Sequence, residues 1–255
     1  MTGALSSVVV AGLCVSLGDQ NALTDINISV ESGDFLAIVG PNGSGKSTLL
    51  KTIAGDLAPT SGSVAIDGLA IQDLDAAAAA SMRSYLPQAH VSNIPFDVRT
   101  VVGFGAFISD GIDASSEQVS IAMRRVGIDG LSNRSFSALS GGEQRRVTIA
   151  RVLCQAASVM LLDEPTDSLD LGHADAVMAI AAEEAANGRV VLSTSHNLNV
   201  AARHATRMLL LDNGRIARMG APTEVLDAEL LSHVYGTTVR IIKDETTGSP
   251  IVLSG

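Results

Sequence analysis

Apolar positions along the chain fall into short β-branched runs and longer alanine- or leucine-rich stretches, which predicts alternating strands and helices. Residues 8–10 and 26–30 are short, partly alternating runs of valine and isoleucine, the pattern of antiparallel strands with one buried face. The apolar start, residues 4–17, has no basic residue ahead of it; it reads as a first strand and not as a signal peptide. Phe35–Val39 is continuously apolar and runs straight into Gly40, as a parallel strand buried on both faces does. Glycines punctuate the loop to Gly45, and residues 47–54 predict a helix. A further strand is expected at 63–66, after the turn at 59–62. Residues 73–82 contain five successive alanines; alanine is the best helix former, so an ordinary helix is expected there.

The character changes over residues 92–138. Gly103, Gly105, Gly111, Gly127 and Gly130 interrupt short helical patches such as 117–126, so this stretch predicts a mostly helical lobe inserted into an α/β core. Beyond it, Val159–Leu162 and Val190–Thr194 are apolar strand runs, separated by an alanine-rich helix at about 174–186. One more strand, 208–211, ends in Asp212-Asn213-Gly214, a hairpin signal. No internal repeat or long linker interrupts the chain. The expected organisation is a single α/β unit, with 1–91 and 139–255 as core and about 92–138 as the helical subdomain.

Composition narrows the function classes. At 255 residues the chain can bury a core without a disulfide or metal staple. Lys and Arg total 17 against 27 Asp and Glu, a net charge of −10. That argues against nucleic acid as a partner, which requires clustered excess base, and against free adsorption to an anionic membrane. A nucleotide site in such a chain must therefore create its own local positive field. Cys14 and Cys154 stand far apart in no metal-ligand spacing and are expected to be reduced thiols. Mean hydropathy is +0.31, yet no uncharged run reaches membrane-spanning length.

Three motifs carry chemistry. Gly40-Pro41-Asn42-Gly43-Ser44-Gly45-Lys46-Ser47, followed by Thr48, matches the phosphate-binding P-loop pattern and stands between a predicted strand and a predicted helix. Glycines there let backbone N–H groups turn inward onto phosphate oxygens, and the helix presents its positive end. Lys46 adds a full charge toward the β- and γ-phosphates, and Ser47 offers a hydroxyl to Mg²⁺. In the second motif, an apolar strand ends in Asp163-Glu164. Beside a P-loop, Asp163 can complete the Mg²⁺ shell and Glu164 can orient or deprotonate the attacking water. These residues together predict an NTPase. The third is Leu139-Ser140-Gly141-Gly142-Glu143, at the start of a helix predicted over 144–154. Ser140 and Glu143 have capping-box spacing, but two glycines in a first turn weaken a helix by about 1 kcal/mol each relative to alanine. A phosphate approaching that helix end accounts for them. Because one loop already cradles the phosphates, this second helix end is expected to come from another copy of the chain.

The P-loop, Leu139–Glu143, the acids after Leu161-Leu162, Ser168-Leu169-Asp170 and His196 occur together and in order. That set resembles the ATP-binding cassette (ABC) ATPases over essentially the whole chain. The resemblance implies a P-loop NTPase ABC core with an antiparallel β subdomain and an inserted helical subdomain. It also implies a head-to-tail homodimer holding two ATP molecules, each between one P-loop and Ser140, Gly141 and Gly142 of the other copy. Gln88, in Tyr85-Leu86-Pro87-Gln88, matches the glutamine that contacts Mg²⁺ and senses the membrane partner. Asp170 matches the residue that communicates across the dimer, and His196 the switch histidine at the γ-phosphate. His90, His173, His204 and His233 match nothing.

The tail, Thr223-Glu224-Val225-Leu226, then 229–236 and 244–251, is similar to the ending of ATPases that drive iron–siderophore, haem and vitamin B12 importers. The segment from His196 to Arg203 resembles the same group, with Asn197 where an acid is usual. Leu17 stands where many relatives place an aromatic on adenine. The resemblance therefore implies an ATPase subunit at the cytoplasmic face of the membrane, importing a metal chelate such as siderophore-bound iron or haem. It would work with separate permease subunits and, indirectly, an extracytoplasmic substrate-binding protein. Rival readings are a soluble ABC ATPase, for instance in iron–sulfur cluster assembly, the ATPase of another ABC transporter, and a regulator that binds ATP without turnover. The short interval between Gln88 and Leu139 leaves no room for the coiled coil of repair-type relatives, and Glu164 with His196 argues for turnover.

Overall fold

Strand β1 (Ser7–Leu17) and strand β2 (Gln20–Glu31) pair antiparallel, with Val8 opposite Val30 and Val10 opposite Ile28. The computed structural model describes residues 6–88, 95–106 and 116–255; His90, Gly111 and the first residues of the apolar start lie outside them. Both strands run further than the predicted 8–10 and 26–30. Register shifts follow Val10 and Leu13, where Gly12 and Asp25 take positive φ of 54° and 53°. Such bulges break the two-residue alternation while the ladder continues.

β3 (Phe35–Val39) is buried at every position. Phe35, Ala37 and Val39 face one apolar core while Leu36 and Ile38 face another, which is why the run shows no alternation. The P-loop leads from β3 into α1 (Lys46–Ala54). β4 (Ser61–Ile66) and β5 (Leu69–Ala70) complete a four-stranded antiparallel sheet in the order β2-β1-β4-β5. The alanine-rich helix α2 (Ala76–Met82) starts later than the predicted residue 73, because Asp75 caps it by accepting the Ala78 N–H at 2.7 Å. Asp73 instead ends a short 3₁₀ turn. β6 (Arg83–Leu86) follows.

In the inserted lobe, α3 (Val98–Gly103) and α4 (Glu117–Arg125) are capped by Asp97 and Ser116. Both pack along α5 (Gly141–Cys154). Arg125 at the end of α4 pairs with Glu183 at 2.7 Å and with Glu184, tying this lobe to the core helix α6 (Leu171–Ala186). β7 (Val159–Leu162) and β8 (Val190–Thr194) have the predicted bounds. Helix α6 begins three residues before the expected start, where the Asp170 side chain caps it.

After α7 (Leu198–His204) come β9 (Arg207–Asp212) and β10 (Arg215–Gly220). They form the expected hairpin, with Asn213 and Gly214 both at positive φ (46° and 73°), as a two-residue turn of this hand requires. The main sheet runs β10-β9-β3-β8-β7-β6, parallel except at β10. The chain closes with α8 (Pro222–Val225), α9 (Ala228–Tyr235) and a hairpin of β11 (Val239–Lys243) and β12 (Pro250–Ser254). Asn199 of α7 holds that hairpin through both the N–H and the carbonyl of Val252. The fold is thus the expected α/β core with an antiparallel β subdomain. Because β3, β7 and β8 are neighbours and parallel, their carboxyl ends bring the P-loop, Asp163 and Thr194 to one edge, where ligands of open α/β sheets bind.

Candidate active site

The P-loop takes its shape from backbone that only glycine accommodates. A Cβ on Gly40 (φ 148°) would lie 2.2 Å from the Leu211 carbonyl oxygen. At Gly45 (φ 102°) it would lie 2.7 Å from the Leu23 side chain and 2.8 Å from the Ala22 carbonyl oxygen. Gly45 also stands at the N-cap of α1, with no side-chain cap and no acid in the first turn. The helix therefore presents uncapped N–H groups and an uncompensated positive end. Lys46 is buried, and its Nζ donates to the carbonyls of Gly40 and Pro41 at 2.8 and 2.9 Å. Burial pulls the Lys46 pKa down, while the nearby Glu164 and Asp163 charges pull it back up. This is the local positive field that an acidic chain needs at an anion site.

Asp163 ends β7 and is fully buried. Its Oδ1 accepts from Ser47 Oγ at 2.9 Å and from Thr194 Oγ1 at 2.7 Å. Its Oδ2 is buried with no hydrogen-bond partner among the described residues. A lone buried carboxylate oxygen beside a serine hydroxyl is an oxygen donor set suited to a hard divalent cation. The residues present therefore fit Mg²⁺.

Glu164 follows in a left-handed backbone conformation, φ 49°, rare for a residue other than glycine, asparagine or aspartate. Its N–H donates to Thr194 Oγ1 at 2.8 Å, and its Oε2 accepts from Gln88 Nε2 at 2.8 Å. Burial raises the Glu164 pKa, with a further rise from its hydrogen bond to Asp167. His196 Nδ1 lies 3.4 Å from Asp167 Oδ1, and ligating atoms of Glu164, Asp167 and His196 fall within 4.8 Å of one another.

Of these groups, Lys46, Ser47, Gln88, Glu164 and His196 border an open cleft of about 750 Å³. Its lining brings together Asn42, Gly43, Gly45, Lys46, Ser47, Thr48, Gln88, Glu164 and His196 from the sequence prediction. The same cleft is lined by Leu17, 48% exposed, with Gln20, Asn21 and Ala22. Ser140 and Gly142 are not part of this cleft; they line a separate hollow of about 360 Å³ with Ser168, Asp170 and His173. The Ser140–Glu143 capping box is present. A Cβ on Gly142 would lie 3.0 Å from the Ser168 carbonyl oxygen, whereas nothing among the described residues stands within 4 Å of one on Gly141. Gly142 therefore has a packing reason within its own chain, and only Gly141 faces open space.

Four residues take roles that the sequence alone does not show. Asn197, read there as a departure, caps α7 by accepting the N–H groups of Asn199 and Val200, both at 3.1 Å, so a neutral amide does an acid's capping work. Asp167 lies between Glu164 and His196. Thr194 holds both acids of the Asp163-Glu164 pair. Arg145 is 1% exposed, and its guanidinium, among the described residues, donates to backbone carbonyls: Pro87 at 2.9 Å, Asp163 and Glu164 at 2.6 Å each, and Pro165 at 3.3 Å. Its helical spacing to the apolar Ile149 and Val152 is the signal that marks it as buried.

Residues 23–167 match the family described as ABC transporter. The chain is 40% identical to the hemin import ATP-binding protein HmuV of Nocardia farcinica, over 92% of this chain and 82% of that one. It is 42% identical to the HmuV of Streptomyces coelicolor, over 95% and 88%. Among solved structures, the cassette MJ0796, a dimer in a post-hydrolysis state bound to ADP and Pi, superposes with a TM-score of 0.75. Identity there is 28%, over 84% of this chain and 98% of that one.

Proposed function

The chain belongs to the ABC transporter family and is an ATPase, and from that premise we propose that it drives import of an iron chelate, haem foremost. The observation that carries the catalytic half is the Ser47–Asp163 contact at the mouth of the P-loop, with Glu164 next in the chain. The substrate half rests on about 40% identity over most of the chain to hemin import ATP-binding proteins.

In this reading the backbone of residues 40–46 and the Lys46 ammonium bind the ATP phosphates. Leu17 covers the adenine through apolar contact. Ser47, Asp163 and Gln88 would hold Mg²⁺, which when bound would neutralise charge on the phosphate oxygens. Glu164 takes a proton from the attacking water, and the Gln88 amide orients its carboxylate. His196 hydrogen-bonds the γ-phosphate. Phosphoryl transfer needs little beyond positioning and charge neutralisation, and these residues supply both.

Ser140, Gly141 and Gly142 of a second copy complete the site, so the working unit is a homodimer. Residues 1–91 and 139–255 form the catalytic core, and about 92–138 the lobe that carries the permease. Among the described residues no helix is long and apolar enough to cross a membrane. The dimer works at the cytoplasmic face, bound to permease subunits and served by an extracytoplasmic binding protein. Purifying the native chain with its membrane partners tests this. The expected result is copurified permease and ATP hydrolysis stimulated by haem delivery; cluster-assembly proteins in place of a permease would favour the soluble reading.

A further inference from the structure

Arg145 directs its guanidinium hydrogen bonds, among the described residues, to backbone carbonyls. It sits in the second turn of α5, the helix that Ser140 caps. Its planar fork spans three carbonyls at the end of β7, those of Asp163, Glu164 and Pro165, and the carbonyl of Pro87, next to Gln88. Both ends of the Gln88–Glu164 hydrogen bond are thus held from behind by one side chain. The Glu164 backbone needs such holding, since its positive φ is a conformation that persists only where surroundings over-determine it. Thr194 Oγ1 takes the Glu164 N–H, and Arg145 takes the carbonyl.

We infer that Arg145 is a positioning residue for hydrolysis: it sets the Glu164 and Gln88 backbones and links them rigidly to the helix that carries Ser140–Gly142. Movement of that helix when a second copy closes on ATP therefore reaches Glu164 through one guanidinium. A lysine cannot replace it fully, because one ammonium lacks the fork that engages several carbonyls at once. The inference rests on Glu164 as the base, and its test separates the two.

ATP hydrolysis by the full chain is measured for Arg145→Gln, Arg145→Lys, Glu164→Gln and the double variant Arg145→Gln/Glu164→Gln, with ATP affinity and melting temperature measured in parallel. Displacing a catalytic group by about 1 Å can cost on the order of 10²-fold in rate. The expected result is a kcat lowered about 10- to 100-fold in Arg145→Gln, less in Arg145→Lys, with ATP affinity within about twofold of the parent. Because Arg145 acts through Glu164, the double variant should be no slower than Glu164→Gln alone. Parent-like kcat in a folded Arg145→Gln overturns the inference, as do multiplying losses in the double variant or a fall in ATP affinity that matches the fall in rate. If Arg145→Gln does not fold, Arg145→Lys decides: parent-like kcat in it overturns the inference. If Glu164→Gln itself keeps its turnover, the assignment of the base has failed instead.

Discussion

Ser47 and Asp163 are 116 positions apart in sequence, and their side chains meet in a 2.9 Å hydrogen bond. The contact exists because β3 and β7 flank β8 in one parallel sheet, so the residues just beyond their carboxyl ends converge. Next to it, Asp163 Oδ2 has no hydrogen-bond partner among the described residues and is free to meet a cation in the proposed function.

The first prediction tests how that acid is held. Thr194 Oγ1 donates to Asp163 Oδ1 and accepts the Glu164 N–H. Thr194→Val keeps the volume and removes both bonds. Losing such an outer partner commonly costs about 10–100-fold in metal affinity or activity. The Mg²⁺ concentration giving half-maximal ATP hydrolysis should rise accordingly, while nucleotide binding without Mg²⁺ stays unchanged. An unaltered Mg²⁺ dependence would remove Asp163 from the cation shell.

A second prediction concerns adenine. Leu17 is exposed in the same cleft as the P-loop. Base–aromatic stacking is worth about 1–3 kcal/mol against alanine, and leucine keeps part of that as apolar contact without a flat π-face. Leu17→Tyr should tighten ATP binding by on the order of 1 kcal/mol, roughly fivefold, with little change in maximal rate, because the contact persists equally in the ground and transition states. The parent should discriminate poorly between ATP and GTP. A nucleotide titration that finds equal or weaker ATP binding in the variant means Leu17 does not face the base.

Local chemistry was legible in the chain; long-range partnerships were not. The P-loop and the strand ending in Asp163 are contiguous, and each carries its own signal. The bulges at Gly12 and Asp25 hid the length of β1 and β2, because a one-residue shift reverses the face pattern. Thr194 shows no sign of its role in sequence, since that role depends on β8 lying between β3 and β7. Arg145 could be recognised as buried from its spacing to Ile149 and Val152, but its carbonyl partners come from two other segments.

The third prediction concerns assembly. Ser140 and Gly142 line a hollow separate from the P-loop cleft of their own chain. If a second copy brings them to the nucleotide, mixing Lys46→Ala with Ser140→Arg subunits yields dimers with one doubly broken site and one intact. The mixture should then hydrolyse ATP faster than either variant alone. Mixtures that never exceed the separate variants count against the shared site.

The most direct measurement is single-turnover ATP hydrolysis by Glu164→Gln, run beside size exclusion in ATP. The Glu164 carboxylate holds a hydrogen bond from Gln88 in a strained, half-buried position at the cleft, and Gln keeps its shape but cannot take a proton. Loss of such a base costs about 10²–10⁴-fold in rate. The account predicts that loss, with ATP affinity retained and the variant accumulating as an ATP-bound dimer. Near-parental hydrolysis by Glu164→Gln would contradict it.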